Sequence, residues 1–551
     1  MPATHEVRNQ PPPLEECGYN LAAEPTLVEA LDRTVGTSTS PQLEELGRLA
    51  ASPRARSWAE QANTETPVLR THDRFGHRLD EVDFHPSWHV LCDTAVSQGL
   101  QAAPWAQDRP WAHLERAARF YVWSQVEGGH GCPMSMTYAI VPALRHSPEL
   151  AERYEPLLCS TRYDFGLRPP EGKQGLLAGM SMTEKQGGSD VRSNTTRAVA
   201  APDGTFRLTG HKWFTSAPMS DLFLTLAQTE AGLSCFLVPR VLPDGTRNAM
   251  FLQRLKNKLG NRSNASAEVE YADAVGYLVG DAGRGLRVIL EMVNSTRLDC
   301  VLGSAAGMRM GLVQALHHAR HREAFGGPLV DAPLMRNVLA DLALESQAAT
   351  ALALRLAEAA DRGIQGDEAE ANIRRIGVAV GKYWVTKRLP GHAAEALECL
   401  GGNGYVEESG MPLLFRESPL NSIWEGSGNV AALDVLRAMA RSPEVVEAYF
   451  TEVDRARGAS AVLDAAVKQL RADVADPQDM EYRARDIVER MALCLQGALL
   501  VRHAPGPVAD TFVATRLGTE GGHAYGTLPR SSPRSGTDVT EAILERSHPR
   551  T

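Results

Sequence analysis

Apolar residues recur every three to four positions in LEELGRLA and in WAHLERAARFYVWSQVE, and this spacing predicts helices from about Ser40 to Pro170. Pro and Gly punctuate the stretch at FHPSWH, GGHGCP and RPPEGKQG, and the first 40 residues open Pro-rich and irregular. The period then changes. Between about Gly179 and Gly280 the segments TFRLTG, LFLTLAQ, SCFLVP, MFLQRL and SAEVEY read as short strands. Turn signals at Pro202-Asp203-Gly204 and Pro243-Asp244-Gly245 separate them, and the spacing suits a small β-barrel or sandwich. Helical periodicity returns near Leu286. Ala- and Leu-rich segments at 286–297, 299–321, 333–362, 367–388, 391–401 and 428–440 predict a helical bundle. A further helical stretch covers 443–503, a loop-like tail begins near 504, and VTEAILERS is a last short amphipathic piece. The predicted fold class is therefore mainly α with a middle β domain. The expected domains are 1–178 (helical), 179–285 (β), 286–440 (bundle) and 441–551 (a C-terminal helical extension with a flexible tail).

The length of 551 residues is ample for a large core without disulfide or metal staples. A net charge of −10 argues against a generally basic nucleic-acid binder, although not against a local patch. No apolar run approaches the roughly 20 residues of a membrane helix, so no membrane partner is expected. The start of the chain lacks the basic and apolar regions of a secretory signal. The eight cysteines form no CxxC pair, so free thiols and a cytoplasmic location are expected.

Five stretches have the composition of a binding or reacting site. GMSMTEKQGGSDV places two glycines beside hydroxyls where backbone N–H groups can approach a cofactor, and alone it is equally a capped turn opening a strand. GHKWFTSAP sets Phe214 beside Thr215 and Ser216, which suits a flat ring or simply the end of a half-buried strand. Gly401-Gly402-Asn403-Gly404 follows a helix and reads also as its C-cap. NSIWEGSGNV places Glu425 beside Trp424. Apolar surroundings raise a carboxylate toward the range useful for a base, and the alternative is an acid at a helix start. HREAFGGPL carries Arg322, whose planar fork can bind phosphate, or which is a charged helix end. The spacing of His317, His318 and His321 allows a metal, but a solvated helix face is the expectation, and no metal site is expected.

In this order the five stretches resemble the acyl-CoA dehydrogenase family, and LKNKLGNRSNASAEVEYADAVGYLVGDAGRGL looks like that family's close of the β domain. RNQPPPL, RLDEVDFHPSWH, MTEKQGGSDV, NSIWEGSGN and the extra C-terminal helices are similar to its AidB-like branch, linked to the adaptive response to DNA alkylation. The resemblance implies FAD, a helical–β–bundle architecture and a homotetramer. It implies that Glu425 takes the α-proton of an acyl-CoA-like thioester while hydride passes to the flavin. It places Met182, Thr183, Gly188 and Ser189 against the flavin and its phosphates. Phe214 takes a position usually held by Trp, Thr215 stands beside it, and Ser216 carries the hydroxyl near N5. Trp424, Ser427 and Asn429 belong to the same cofactor site, the last two at its adenine half. Arg322, Phe325 and the Gly401-Gly402 loop would reach FAD of a neighbouring subunit. Ser181 and Gln186 depart from the family pattern as the AidB branch does, and Leu413 replaces a basic residue.

The branch also implies double-stranded DNA as a partner, through the C-terminal helices and Arg437. Residues 441–551 hold 14 basic and 16 acidic residues, which gives little electrostatic support. Arg502, Arg516, Arg530, Arg534, Arg546 and Arg550 are candidates for a local patch, against the alternative of a mixed solvated surface. The alternative to an enzyme is thus a DNA-binding protective protein in which FAD is mainly structural and dehydrogenase activity is vestigial.

Overall fold

The computed structural model describes residues 4–36, 39–529 and 538–551. The chain divides into two compact units. One holds Ser57–Phe120 and Glu127–Asp299; the other holds Met1–Arg56, Tyr121–Val126 and Cys300–Thr551.

The first unit contains the sheet. Strands β1 (Val68–His72) and β2 (Arg78–Asp83) pair antiparallel as a hairpin inside the region expected to be helical. Its alternation of exposed and half-buried positions is short and was hidden between two stronger helical patterns. The main sheet comprises β3 (Ala178–Ser181), β4 (Arg197–Ala200), β5 (Phe206–Ser216), β6 (Leu222–Thr229), β7 (Gly232–Pro239), β8 (Met250–Leu255) and β9 (Ser266–Val279). Pairings run β6–β4–β5–β9–β7 and back to β6, so the sheet closes into a small barrel, with β3 added to β6 and β8 to β9. The five strands read from sequence are β5 to β9; the four-residue β3 and β4 were too short to show a period. Leu208, Phe223, Phe236, Leu252, Val269 and Tyr271 form its core.

The second unit is helical. Gly285–His321, whose residues from Cys300 onward belong to this unit, is one helix where two were expected, and Glu368–Glu398 runs on through Pro390 where a break was expected. Tertiary packing overrides the local breakers: the glycine at 307 lets Leu389 approach, and that at 311 lets Ala396 approach, each 3.2–3.3 Å from where a Cβ would stand. Pro333–Ile364 is buried along most of its length, as expected of the central member of a bundle, and Gly428–Arg441 completes the group. Pro443–Asp454, Ala461–Ala475, Met480–His503 and Gly506–Arg516 follow, with Val539–Ser547 near the end. The helix Gly506–Arg516 corrects the expectation of a loop from residue 504: its apolar residues Val508, Phe512 and Val513 are buried.

Ion pairs tie the extension to the bundle within this unit. Arg355 bonds Glu370 at 2.8 Å and Glu452 at 3.0 Å, and Glu452 also receives Arg502 at 2.9 Å. Arg516 pairs with Asp341 and Glu345, and Arg546 with Glu29. Three of the arginines weighed as a basic patch are thus bound to carboxylates; Arg530 and Arg534 lie outside the described residues. His317 and His318 are buried, with His317 bonded to Tyr19 at 3.2 Å and to the Pro12 carbonyl at 2.7 Å, so the cluster is not a solvated face. Among the described residues no group of three or more His, Cys, Asp or Glu side chains is placed to hold a metal ion. No helix among them is long and apolar enough to cross a membrane. All eight cysteines are free thiols.

Candidate active site

In the barrel unit the stretch after β3 carries Met182, Thr183, Gly188 and Ser189, and the end of β5 carries Phe214, Thr215 and Ser216; a hydrogen bond from the Trp213 N–H to the Thr183 carbonyl and one between Thr215 and Ser181 join the two segments. The loop after β3 is fixed by a buried carboxylate. Glu184 accepts hydrogen bonds from Thr195 (N–H 2.7 Å, hydroxyl 3.0 Å), from Thr196 (N–H 3.1 Å, hydroxyl 2.6 Å) and from Gln186 at 2.7 Å. Lys212 on β5 donates to it at 2.9 Å and to the Leu226 carbonyl at 2.8 Å. Burial pushes the Glu184 carboxyl up, but the Lys212 ammonium and the threonine donors outweigh it and hold the group well below the usual carboxylate range. The Met182 carbonyl accepts from Asn194 at 2.9 Å, and the Thr183 carbonyl from the Trp213 N–H at 2.7 Å. A Cβ at Gly188 would stand 2.6 Å from the Thr183 hydroxyl, so only glycine lets the loop fold back there.

β5 presents the other wall. Its register with β9 passes from Lys212–Val269 to Thr215–Ala267, so one extra residue sits in β5. A bulge re-aims side chains, and here it turns Phe214 outward to 48% exposure on a barrel whose other large apolar side chains are mostly interior. Thr215 is fully buried, and its hydroxyl is spent on Ser181, so its side chain is not offered to a ligand. Ser216 is half-buried and bonds Ser266 at 3.2 Å. An exposed ring followed two residues on by a half-buried hydroxyl, with a glycine-bearing loop joined to the same strand, has the chemistry to take a flat heteroaromatic ligand with a polar tail.

The helical unit holds the acid. Glu425 is half-buried on a turn before the helix Gly428–Arg441, with φ 58°, a conformation uncommon for a residue with a Cβ; Gly426 follows at φ 101°. Such strain persists only where surroundings over-determine it. Lys382, almost fully buried, donates to the Gly426 carbonyl at 2.9 Å. The Trp424 indole donates to Asn421 at 2.9 Å, and Asn421 to Ser304 at 3.1 Å. Ser427 and Asn429 are exposed at the helix start. Gly401 and Gly402 stand at the end of Glu368–Glu398 with open space where a Cβ would lie. Arg322 donates to the Asn9 carbonyl at 2.5 Å and precedes a hairpin of β10 (Glu323–Ala324) and β11 (Gly327–Pro328). Phe325 and Gly326 at its tip both have positive φ, 55° and 93°, the mark of a type I′ turn. The Phe325 side chain is fully exposed. Arg437 is exposed on Gly428–Arg441.

The residues that hold these walls were not among those singled out from sequence. Lys212 could have been found, since it shares the inward side of β5 with Leu208. Lys382 could not, because a lone lysine in a long helix carries no local signal of burial.

Comparison with known proteins agrees with this layout. Residues 9–165 match the AidB N-terminal domain, 179–274 the acyl-CoA dehydrogenase middle domain and 283–440 the acyl-CoA dehydrogenase C-terminal domain. The chain is 45% identical over 521 residues to AidB of Escherichia coli K12, covering 94% of this chain and 95% of that one. It superposes on Caenorhabditis elegans ACDH-11, solved in complex with C11-CoA, with TM-score 0.84 and 27% identity over 93% of this chain and 92% of that one. An acyl-CoA dehydrogenase from Bacillus anthracis solved with FAD shares the fold at TM-score 0.63 and 18% identity, over 84% and 81% of the two chains. The chain belongs to the acyl-CoA dehydrogenase family, in its AidB-like branch.

Proposed function

We propose that this protein is an FAD-dependent dehydrogenase acting on a CoA thioester, with Glu425 as the base that removes the α-proton. The observation that carries the proposal is the Glu425 turn: a half-buried carboxylate in a strained conformation, pinned by Lys382 through the next residue. The residues present fit FAD. The bulge exposes Phe214 as a ring-sized platform beside Ser216, and Gly187, Gly401 and Gly402 have nothing where a Cβ would stand. Met182, Thr183, Gly188, Ser189, Phe214 and Ser216 would hold the flavin and its phosphates. The resemblance also assigns Trp424, Ser427 and Asn429 to the cofactor. FAD, when bound, supplies the two-electron acceptor for the dehydrogenation. Glu425 takes the proton at its carboxylate, and its backbone N–H polarises the thioester carbonyl. The C11-CoA bound by the nematode relative supports an acyl-CoA as substrate class.

A homotetramer is part of the same proposal. Phe325 places a fully exposed aromatic on a hairpin tip, where burial against a second subunit removes the cost of exposing it, and Arg322, Gly401 and Gly402 belong with it. The duplex-DNA reading, with its link to alkylation, needs clustered cations. The pairing of Arg502, Arg516 and Arg546 with carboxylates favours the enzyme reading, and exposed Arg437 is the residue on which the DNA reading rests. An absorbance spectrum of desalted protein, followed by anaerobic addition of an acyl-CoA panel, tests the proposal. Flavin bands that bleach with one thioester support it. Flavin bands that none bleaches, together with salt-sensitive binding of a DNA duplex, would replace it by the DNA reading.

A further inference from the structure

A second lysine of the barrel unit reaches the rim hydroxyl through one intermediary. Lys258, in the loop between β8 and β9, donates to the Ser266 hydroxyl at 3.0 Å, and Ser266 lies 3.2 Å from the Ser216 hydroxyl. The lysine is held there by the Asn264 carbonyl at 2.7 Å and by Asn261 at 3.4 Å, and Asn261 itself takes the left-handed conformation at φ 54°. Ser266 and Ser216 are paired across β9 and β5, so the ladder sets their side chains side by side.

Donor inventory fixes the first step of the chain. An ammonium has protons and no lone pair, so Ser266 must accept from Lys258. Accepting from the ammonium polarises the Ser266 hydroxyl and makes it the better donor of the serine pair, which favours its proton lying on the Ser216 oxygen. In that arrangement Ser216 accepts from Ser266, and its own proton is free to be donated to a ligand beside Phe214. A neutral serine pair alone has no such preference, because either hydroxyl can donate.

We infer that Lys258 is a positioning residue for the flavin reaction: through Ser266 it orients Ser216 as a donor to the isoalloxazine edge and brings a positive charge near the site of two-electron reduction. This inference rests on the proposed reading that FAD binds on the Phe214 and Ser216 rim. A cation linked by directed hydrogen bonds favours the state carrying the added negative charge, so it makes the bound flavin easier to reduce.

The test is the midpoint potential of FAD in the purified holoprotein, measured against a reference dye, for wild type, Ser216→Ala, Ser266→Ala, Lys258→Met and Lys258→Arg. Lys258→Met is expected to shift the reduction equilibrium about tenfold toward oxidised flavin, about 30 mV for a two-electron couple. Ser266→Ala, a smaller change to the fold, is expected to shift it in the same direction. Lys258→Arg restores most of the potential. In Lys258→Met/Ser266→Ala the shift is no larger than in Lys258→Met alone, because both remove one chain. Wild-type potentials in Lys258→Met and Ser266→Ala while Ser216→Ala shifts would overturn the lysine relay and leave the flavin site standing. A wild-type potential in Ser216→Ala, or no FAD bound by the wild type, would overturn the flavin rim itself.

Discussion

Lys212→Met isolates the contribution of the buried ion pair that fixes the loop after β3, proposed above to hold the flavin. Methionine keeps the length of the stem and removes the ammonium, so the bonds to Glu184 at 2.9 Å and to the Leu226 carbonyl at 2.8 Å are lost together. Glu184 then stays buried as an anion with only its threonine and glutamine donors. Removing one member of a buried pair costs about 3–5 kcal/mol, and the surviving donors put this case at the low end. At about 2–4 °C per kcal/mol for a unit of 150–250 residues, a loss of about 3 kcal/mol lowers the melting temperature by about 6–12 °C. The assay follows the rise of flavin fluorescence on heating, which reports release from the loop, beside a calorimetric scan. Because the two side chains act on each other, Lys212→Met/Glu184→Gln is expected to fall short of the sum of the single losses by about 1–3 kcal/mol. A melting temperature within about 2 °C of wild type for Lys212→Met, or strict additivity in the double variant, would refute the claim that this pair anchors the loop.

Other outcomes follow from the same geometry. Lys382→Met frees the Gly426 carbonyl and lets the Glu425 turn relax, so thioester reduction of the flavin slows by about 10²-fold with FAD still bound, as stopped-flow absorbance will show. Burial pushes the Glu345 and Glu452 carboxyls up, but Arg388 and Arg516 beside the first, and Arg355, Arg455 and Arg502 beside the second, hold both at about 2. Their folded values lie below the ordinary value of about 4.3, so their stabilisation is present above about pH 4.3 and is lost as pH falls through 2. Chemical denaturation across that window should show falling stability, with a shallower slope in Glu452→Gln. Phe325→Ser removes the exposed hairpin ring, and light scattering after gel filtration should show a smaller assembly than wild type at equal concentration; an unchanged mass would place the interface elsewhere.

The order of helical, strand and helical patterns was legible because long periodic segments declare themselves. Five strands of the barrel and all bundle helices rose above their surroundings. The β1–β2 hairpin did not, since five and six residues between helices give too little alternation to see. The helix end expected at Pro390 is absent because small residues pack closely on either side of it, and near residue 298 no Gly or Pro interrupts the helix Gly285–His321. Glu425 stood out as an acid between Trp424 and Gly-Ser-Gly, yet its left-handed backbone and its dependence on Lys382 are products of the tertiary fold. Thr215 shows the opposite limit: three neighbouring residues look alike in GHKWFTSAP, and only the bulge decides that Phe214 faces out while Thr215 closes on Ser181. Charge counts in the C-terminal segment suggested a mixed surface, and the structure pairs Glu452 with Arg355 and Arg516 with Asp341 and Glu345 of the bundle, while Arg502 meets Glu452 within the extension.

The most direct measurement is anaerobic reduction of the FAD-loaded protein by an acyl-CoA that bleaches the wild type, repeated with Glu425→Gln. The amide keeps the shape of the side chain and cannot take the α-proton. The account predicts an unchanged oxidised flavin spectrum in the variant and no bleaching by the thioester. Bleaching of Glu425→Gln at the wild-type rate would contradict the assignment of Glu425 as the base.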